Sequence, residues 1–225
     1  MTSEERERRG AQRREATRAR LVEAAQHVLA TGRTNVPIQD ITAAAGLGTG
    51  SFYNHFETKE ALYAAAIEDA LEKESALLEA VTADIPDPAA VFATSFRIIG
   101  RLHRRFPQLS HVILNNAAQV MGSETGMMAR ARRDVATAMD AGRFDVDDLD
   151  VAMILVSGTA LSLAQRLHAK PELDDAAVTD AVTEKLLRML GLTARQARRV
   201  AHAELATSWL ETGAVDVLDP SSQTA

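Results

Sequence analysis

Cysteine is absent from the 225 residues, which excludes disulfides and thiolate metal sites and suits a reducing compartment. Long apolar runs are absent as well. The longest, VAMILVSGTALSL at 151–163, is interrupted by Ser157, Thr159 and Ser162 and falls short of the roughly 18 residues a membrane span needs. The first twenty residues, MTSEERERRGAQRREATRAR, contain no apolar segment of a secretory signal, so the expectation is a soluble cytoplasmic protein with no membrane partner. Strand signals are missing: no stretch alternates apolar and polar side chains convincingly, and Ala, Leu, Glu and Arg dominate over β-branched and aromatic types. This predicts an all-α fold. Signatures of catalysis are missing too. No serine-histidine-acid order, metal triad or carboxylate pair stands out. The acid run DVDDLD at 145–150 reads as a helix N-terminus favoured by the dipole and lacks the spacing of a calcium loop. His103, His111 and His168 are not paired at i+3 or i+4 with another ligand-type side chain in a recognised metal-binding pattern. The expectation is therefore no enzyme, no catalytic residue, no cofactor and no metal.

What is present is a chain that is 46% hydrophobic, enough for a real core, with a net charge of −6 that is unevenly spread. Residues 1–60 hold nine Lys or Arg against eight acids, whereas the remainder holds 16 against 23. The first 20 residues alone carry seven Arg against four Glu. A basic end on an acidic body confines any polyanion to that end.

Leu21, Ala24, Ala25, Val28 and Leu29 follow the spacing of a helix with one apolar face, and Gly32 stops it, giving a helix over 14–31. Pro37 suits a first helical position, and Ile38, Ile41 and Ala45 continue a short helix ending at Gly46, the left-handed position. A second short helix follows at 49–54, and Thr58 caps a long one that runs to 82, before ADIPDP. Beyond it the separators predict helices at 88–105, 107–121, 124–141, 147–169, 174–190 and 193–211.

The stretch GLGTGSFYNHF, residues 46–56, has the wrong glycine spacing and the wrong context for a dinucleotide fingerprint, since it follows a helix and not a strand. Two short helices joined by a glycine-bearing turn, after a packing helix and a basic start, instead describe a helix-turn-helix. Thr49, Gly50, Ser51, Asn54 and His55 are short or polar groups suited to base edges and phosphates. Tyr53 has a hydroxyl on a ring rooted beside the core, while Phe52 and Phe56 pack inward. Lys59, in the first turn of the long helix, opposes the macrodipole unless a phosphate lies there. Arg14 and Arg18, one turn apart, can meet the DNA backbone or a minor groove.

Residues 20–63, RLVEAAQHVLATGRTNVPIQDITAAAGLGTGSFYNHFETKEALY, resemble the DNA-binding domain of the TetR family of bacterial transcriptional regulators. The resemblance is carried by Ala24, Ala25, Gly32, Ile41, Ala45, Gly46, Gly50, Tyr53, Phe56, Lys59, Glu60 and Leu62. The sequence departs from the family's pattern at Gly48, where a Ser or Thr usually caps the recognition helix, and at Pro37, where a Thr usually stands. Gln39, exposed beside the turn, is the residue placed to compensate by touching DNA.

In the body, the segment DLDVAMILVSGTALSLAQRL is apolar almost all round its helix, which predicts burial on two sides. With the stripe on the next helix it forms an expected homodimer interface through Met153, Leu155, Gly158, Leu161, Val182, Leu186 and Met189, as the resemblance also implies. Phe92, Phe96, Ile99, His103, His111, Asn115, Gln119, Met127 and Met128 describe a small-molecule pocket and an ordinary core equally well; the resemblance tips them towards a pocket for an apolar or amphipathic effector. The resulting division is a basic arm at 1–13, a DNA-binding domain at 14–63, a ligand-binding and dimerisation body at 64–211 and a flexible tail at 212–225. The function expected is a ligand-responsive repressor on a palindromic operator. The alternative is a helical interaction protein or enzyme that borrows the helix-turn-helix.

Overall fold

The computed structural model describes residues 2–33, 35–123 and 125–205. Among the described residues it contains eleven helices and no strand, as composition and periodicity predict. They are α1 (Ser3–Ala30), α2 (Ile38–Ala44), α3 (Thr49–Tyr53), α4 (Lys59–Thr82), α5 (Pro88–Arg105), α6 (Pro107–Asn115), α7 (Ala117–Met121), α8 (Gly126–Asp140), α9 (Leu149–Ala169), α10 (Asp175–Met189) and α11 (Ala194–Ala201).

The helix ends follow from capping chemistry. Thr58, Asp87, Asp148, Asp174 and Thr193 each accept a hydrogen bond from a first-turn amide of α4, α5, α9, α10 and α11. The first helix begins earlier than the periodicity suggested. A complete capping box between Thr2 and Glu5 starts it at Ser3, so residues 3–13, expected as a separate arm, are the first turns of a 28-residue helix. The single helix expected over 107–121 is broken at Asn116, whose Nδ2 donates to the Val112 carbonyl at 2.8 Å and whose backbone (φ −121°, ψ 27°) leaves the helical region. Pro37 sits at the cap of α2, one place before the position expected for it. The C-terminal helix ends at Ala201, so residues 202–205, expected inside it, leave the helix; positions 206–211, also expected in it, and the tail at 212–225 lie outside the described residues.

Two hydrophobic cores form, and the boundary between them does not follow the domain boundary read from the sequence. The first joins Leu21, Ile41, Phe52 and Leu62 of the N-terminal head to Ile98, Leu102 and Val112 of α5 and α6. The second lies among α5, α8, α9, α10 and α11, with Phe92, Phe144, Met153 and Leu186 inside it. Helix α4 runs from the head into the body, and α6 makes a second junction, because Asn115 Nδ2 donates to the Leu29 and Ala30 carbonyls at 3.0 and 3.2 Å. The Leu29 carbonyl also accepts from the Gly32 amide at 3.0 Å in the closing turn of α1, so the Asn115 amide adds a further cap to that helix end from another helix. Where α5 crosses α10, Gly100 leaves no room for a Cβ against Thr179. Beside it the buried Arg97 grips Asp180 through Nε and Nη2 at 2.9 and 3.2 Å and donates Nη1 to the Ala203 carbonyl at 2.9 Å.

Candidate DNA interface and effector cavity

Helices α2 and α3 are set at their angle by the turn between them. Gly46 has φ +63°, and the Leu47 and Gly46 amides donate back to the Thr42 and Ala43 carbonyls at 2.8 and 2.9 Å, the two bonds of a Schellman ending. Arg20 of α1 donates to the Gly46 carbonyl at 3.1 Å, which pins the turn to α1. Below α3, Phe52 and Phe56 are buried, and above it Tyr53 is 64% exposed with its ring edge-on to Phe52 at 5.1 Å. Gln39, Gly50, Tyr53 and Asn54 are exposed, and Thr49, Ser51 and His55 half-buried. A Cβ at Gly48 or Gly50 would meet nothing within 4 Å, so the start of α3 presents bare backbone outward.

Arg14 is exposed on α1, and the Arg18 guanidinium stands 5.3 Å over the Phe56 ring. Lys59 is less free than its place at a helix start suggested. Its Nζ donates to the Val36 carbonyl at 3.3 Å and lies 5.9 Å above the Tyr63 ring, tying the start of α4 to the loop before α2. Arg6, Arg9, Arg13 and Arg20 recur at i, i+3, i+7 and i+14 and so share one face of α1, with Gly10, Ala16 and Thr17 and no carboxylate in the same register. That face leads directly to the pinned turn.

In the body, α4, α5, α8 and α9, joined at the second lobe by α6 and α7, surround two small apolar lobes of about 70 and 60 Å³ that share Ile99, Met127, Met128, Ser157 and Ala160 as lining residues. Phe92 and Phe96 line the first lobe, whose polar end is Ser95, Arg130 and Asp134. Arg130 is buried: Nη2 donates to Thr82 Oγ1 at 2.7 Å, while Nε stands 3.4 Å from Asp134 without a hydrogen bond. Burial pushes the Asp134 carboxyl up despite the neighbouring guanidinium. Ser95 Oγ is buried with no partner. The second lobe is lined by Glu74 of α4 and His103 of α5. Burial raises the Glu74 carboxyl to about 8 and lowers His103 to about 4.

Several residues expected in the pocket stand elsewhere. Asn115 is spent on α1, Gln119 is exposed on α7, and His111 stacks on His168 at 4.3 Å instead of lining either lobe. The expected dimer stripe also divides. Met153 and Leu186 are buried in the protomer's own second core, Leu155 and Val182 pack against it half-buried, and Leu161 lines the second lobe; Gly158 and Met189 face outward, as do Val151 and Ile154. A helix that is apolar all round cannot declare from periodicity which face its own core takes.

Two family profiles match the chain. One, described as bacterial regulatory proteins of the tetR family, covers residues 21–66; the other, a tetracyclin repressor-like C-terminal domain, covers 87–203. The chain belongs to the TetR family. It is a DNA-binding transcriptional regulator with an N-terminal helix-turn-helix and a C-terminal helical domain. Among solved structures, RolR in complex with resorcinol is similar to this TetR-family chain at 34% identity and a TM-score of 0.59 over 87% of this chain and 97% of that one. The fatty acid degradation regulator FadR from Bacillus halodurans shares the fold at 16% identity, with a TM-score of 0.65 over 76% and 94% of the two chains. The transcriptional repressor DhaR of Mycobacterium sp. (strain GP1) is 53% identical over 49 residues, 21% of this chain and 25% of that one, so the match spans a quarter of that relative.

The sequence reading missed Arg20 as the clamp on the turn, and missed Glu74, Arg130 and Asp134. The three had a legible signal. Glu74 stands on the buried face of α4 with Ala70, Leu71, Leu77 and Leu78, and Arg130 and Asp134 interrupt a register that continues through Ala131, Val135 and Ala138. A charge in an apolar register marks a buried ionisable group.

Proposed function

We propose that this TetR-family chain acts as a homodimeric repressor whose two α3 helices enter successive major grooves of a palindromic operator, and that a small hydroxylated aromatic effector between α4, α5, α8 and α9 releases it. The observation that carries the DNA reading is the surface of α2 and α3: Gln39 of α2 and Gly50, Tyr53 and Asn54 at α3 stand exposed over a closed aromatic core, and Gly48 and Gly50 carry no side chain that would hold DNA away. Asn54, with Thr49, Ser51 and His55 beside it, is suited to base edges, while Tyr53, Arg14, Arg18 and Lys59 are suited to phosphates. The arginine face of α1 extends this surface by about 21 Å at about 1.5 Å per residue from Arg20 to Arg6. Duplication of the head requires a dimer, and the outward stripe of Val151, Ile154 and Gly158 on α9 with Met189 on α10 is the apolar surface suited to it; to enter successive major grooves, such a dimer must hold its two α3 helices about 34 to 36 Å apart or a multiple. The effector reading is supported by the two-lobed cavity and by the likeness to RolR, crystallised with resorcinol. The reading assigns the chain no catalytic step and places it in the cytoplasm with DNA.

Gel-shift titration with the DNA upstream of the protein's own gene, at two salt concentrations, tests it: a sequence-specific shift is expected, and none at either salt sinks the repressor. Lys59→Ala should weaken binding to all sequences and flatten the salt slope by about 0.9 if one phosphate contact is lost, whereas Asn54→Ala should change sequence preference.

A further inference from the structure

Glu74 is fully buried on α4, and its Oε2 has no hydrogen-bond partner. A buried carboxyl that leaves an oxygen unpaired costs stability, and a leucine in the same register as Leu71 and Leu78 would avoid the cost. Glu74 lines the second lobe together with His103, so its carboxyl stands against the lobe, with the unpaired oxygen behind the lobe's wall. His103 is held in place: its Nδ1 stands 2.7 Å from Ser110 Oγ, which is also 2.7 Å from His168 Nε2, so the hydroxyl donates to one ring and accepts from the other. At the first lobe Ser95 Oγ has no hydrogen-bond partner, and Arg130 Nε is ion-paired with Asp134 at 3.4 Å without a hydrogen bond. Between the two ends lie Ile99, Ala160 and the methionines 127 and 128.

We propose that Glu74 is an effector-binding residue: it receives a neutral hydroxyl at the second lobe, so that the effector is a flat apolar molecule with a hydroxyl at each end, one at Glu74 and one at the Ser95–Arg130 end. This rests on the effector reading above and deepens it. A carboxylic acid and a hydroxyl are matched, since each can donate and accept. A charged amine or carboxylate is disfavoured, because the walls of both lobes are almost wholly apolar and a charge brought there loses its hydration. Neither lobe alone has room for an aromatic ring, and the ring's place is therefore the seam between them, opened by rotation of the shared Met127 and Met128, whose unbranched side chains adapt at low cost. The site also explains how binding reaches DNA. Glu74 sits on the same helix as Lys59, which is bonded to the loop before α2, so a hydrogen bond formed by the effector at Glu74 acts on the element that carries the head.

The test is a thermal-shift and calorimetric titration of the full-length protein with three probes of one shape: resorcinol, 3-methylphenol and meta-xylene, which carry two, one and no hydroxyls. The wild type should bind resorcinol about tenfold tighter than 3-methylphenol, and meta-xylene weaker still. Glu74→Leu should raise the melting temperature of the free protein and reduce the preference for resorcinol over 3-methylphenol to below about twofold, leaving 3-methylphenol affinity in place; Glu74→Gln, which keeps a donor and an acceptor, should retain most of it. A Glu74→Leu protein that keeps the full preference, or that melts lower than wild type, overturns the proposal, as does a wild type that binds meta-xylene as well as resorcinol or binds none of the three. Failure of the repressor reading shows separately, as loss of the specific gel shift in the absence of any probe.

Discussion

The N-terminal head and the helical body use charge in opposite ways. In the head the arginines of α1, Lys59 and the polar groups of α3 stand at the surface around a core of Leu21, Ile41, Phe52 and Leu62. In the body Glu74, Arg97, His103 and Arg130 are buried. A surface that meets a polyanion gains from exposed cations that displace counterions. A cavity that must distinguish small molecules gains from a few buried polar groups left incompletely paired, because an unmatched guest leaves them unpaired and a matched one does not. The incompletely paired groups Glu74, Ser95 and Arg130 line the lobes, so the unfavourable burial is concentrated there.

The sharpest way to break this comparison is to remove a buried ion that is fully paired. Arg97→Ala leaves Asp180 facing only Arg101 and strips the Ala203 carbonyl of a donor. The loss should be about 3 kcal/mol in chemical denaturation, with DNA affinity per folded molecule unchanged. A loss below about 1 kcal/mol would mean that the body's buried ions behave like surface pairs.

Glu74 gives a smaller and more specific effect. Its carboxyl is raised from 4.5 to about 8, so the folded protein holds a proton there that the unfolded chain releases. The stability this contributes is complete below about pH 4.5 and is lost as pH rises towards about 8. Glu74→Gln should therefore flatten the fall in melting temperature between about pH 6.5 and 8, above the range in which His103 opposes it. The opposite limb belongs to His103, held at about 4 against an ordinary 6.5: stability is lost as pH drops from 6.5 towards 4, and this limb should survive the substitution. An unchanged alkaline slope would place Glu74 in contact with solvent.

The head was legible because its signals are local. Gly46, Thr58, Pro37 and the spacing from Leu21 to Leu29 each act within a turn or two, and the residues expected to face DNA are exposed or half-exposed, from Arg14 on α1 to His55 after α3 and Lys59 at the start of α4. The body was legible as helices and less so as a site. His103, Ser110 and His168 come from three different helices, and no linear spacing announces that they meet. Asn115 was read as a pocket amide because nothing in its neighbourhood says that the end of α1 lies beside it. Met153 and Leu186 were placed between subunits for the same reason: on a helix apolar all round, the choice of inward face is made by tertiary packing.

The smallest expected effect returns to the head and its one departure from the family's pattern at the recognition helix. Gly48 has the extended backbone of a helix cap (φ −79°, ψ 151°), but no side chain to accept a first-turn amide of α3. No atom within 4 Å would obstruct a Cβ there. Serine is therefore compatible with both conformation and space, and Gly48→Ser should stabilise the protein by a few tenths of a kcal/mol through the new cap, while Gly48→Ala, which fits equally but cannot accept, should not. If the hydroxyl also reaches a phosphate, Gly48→Ser should tighten operator binding a few-fold and steepen the salt slope, and Gly48→Ala should leave both unchanged. Tighter binding with an unchanged slope would assign the gain to a better-ordered α3. A serine that weakens binding would show that the bare backbone at Gly48 is itself the contact, with DNA approaching where a side chain cannot stand.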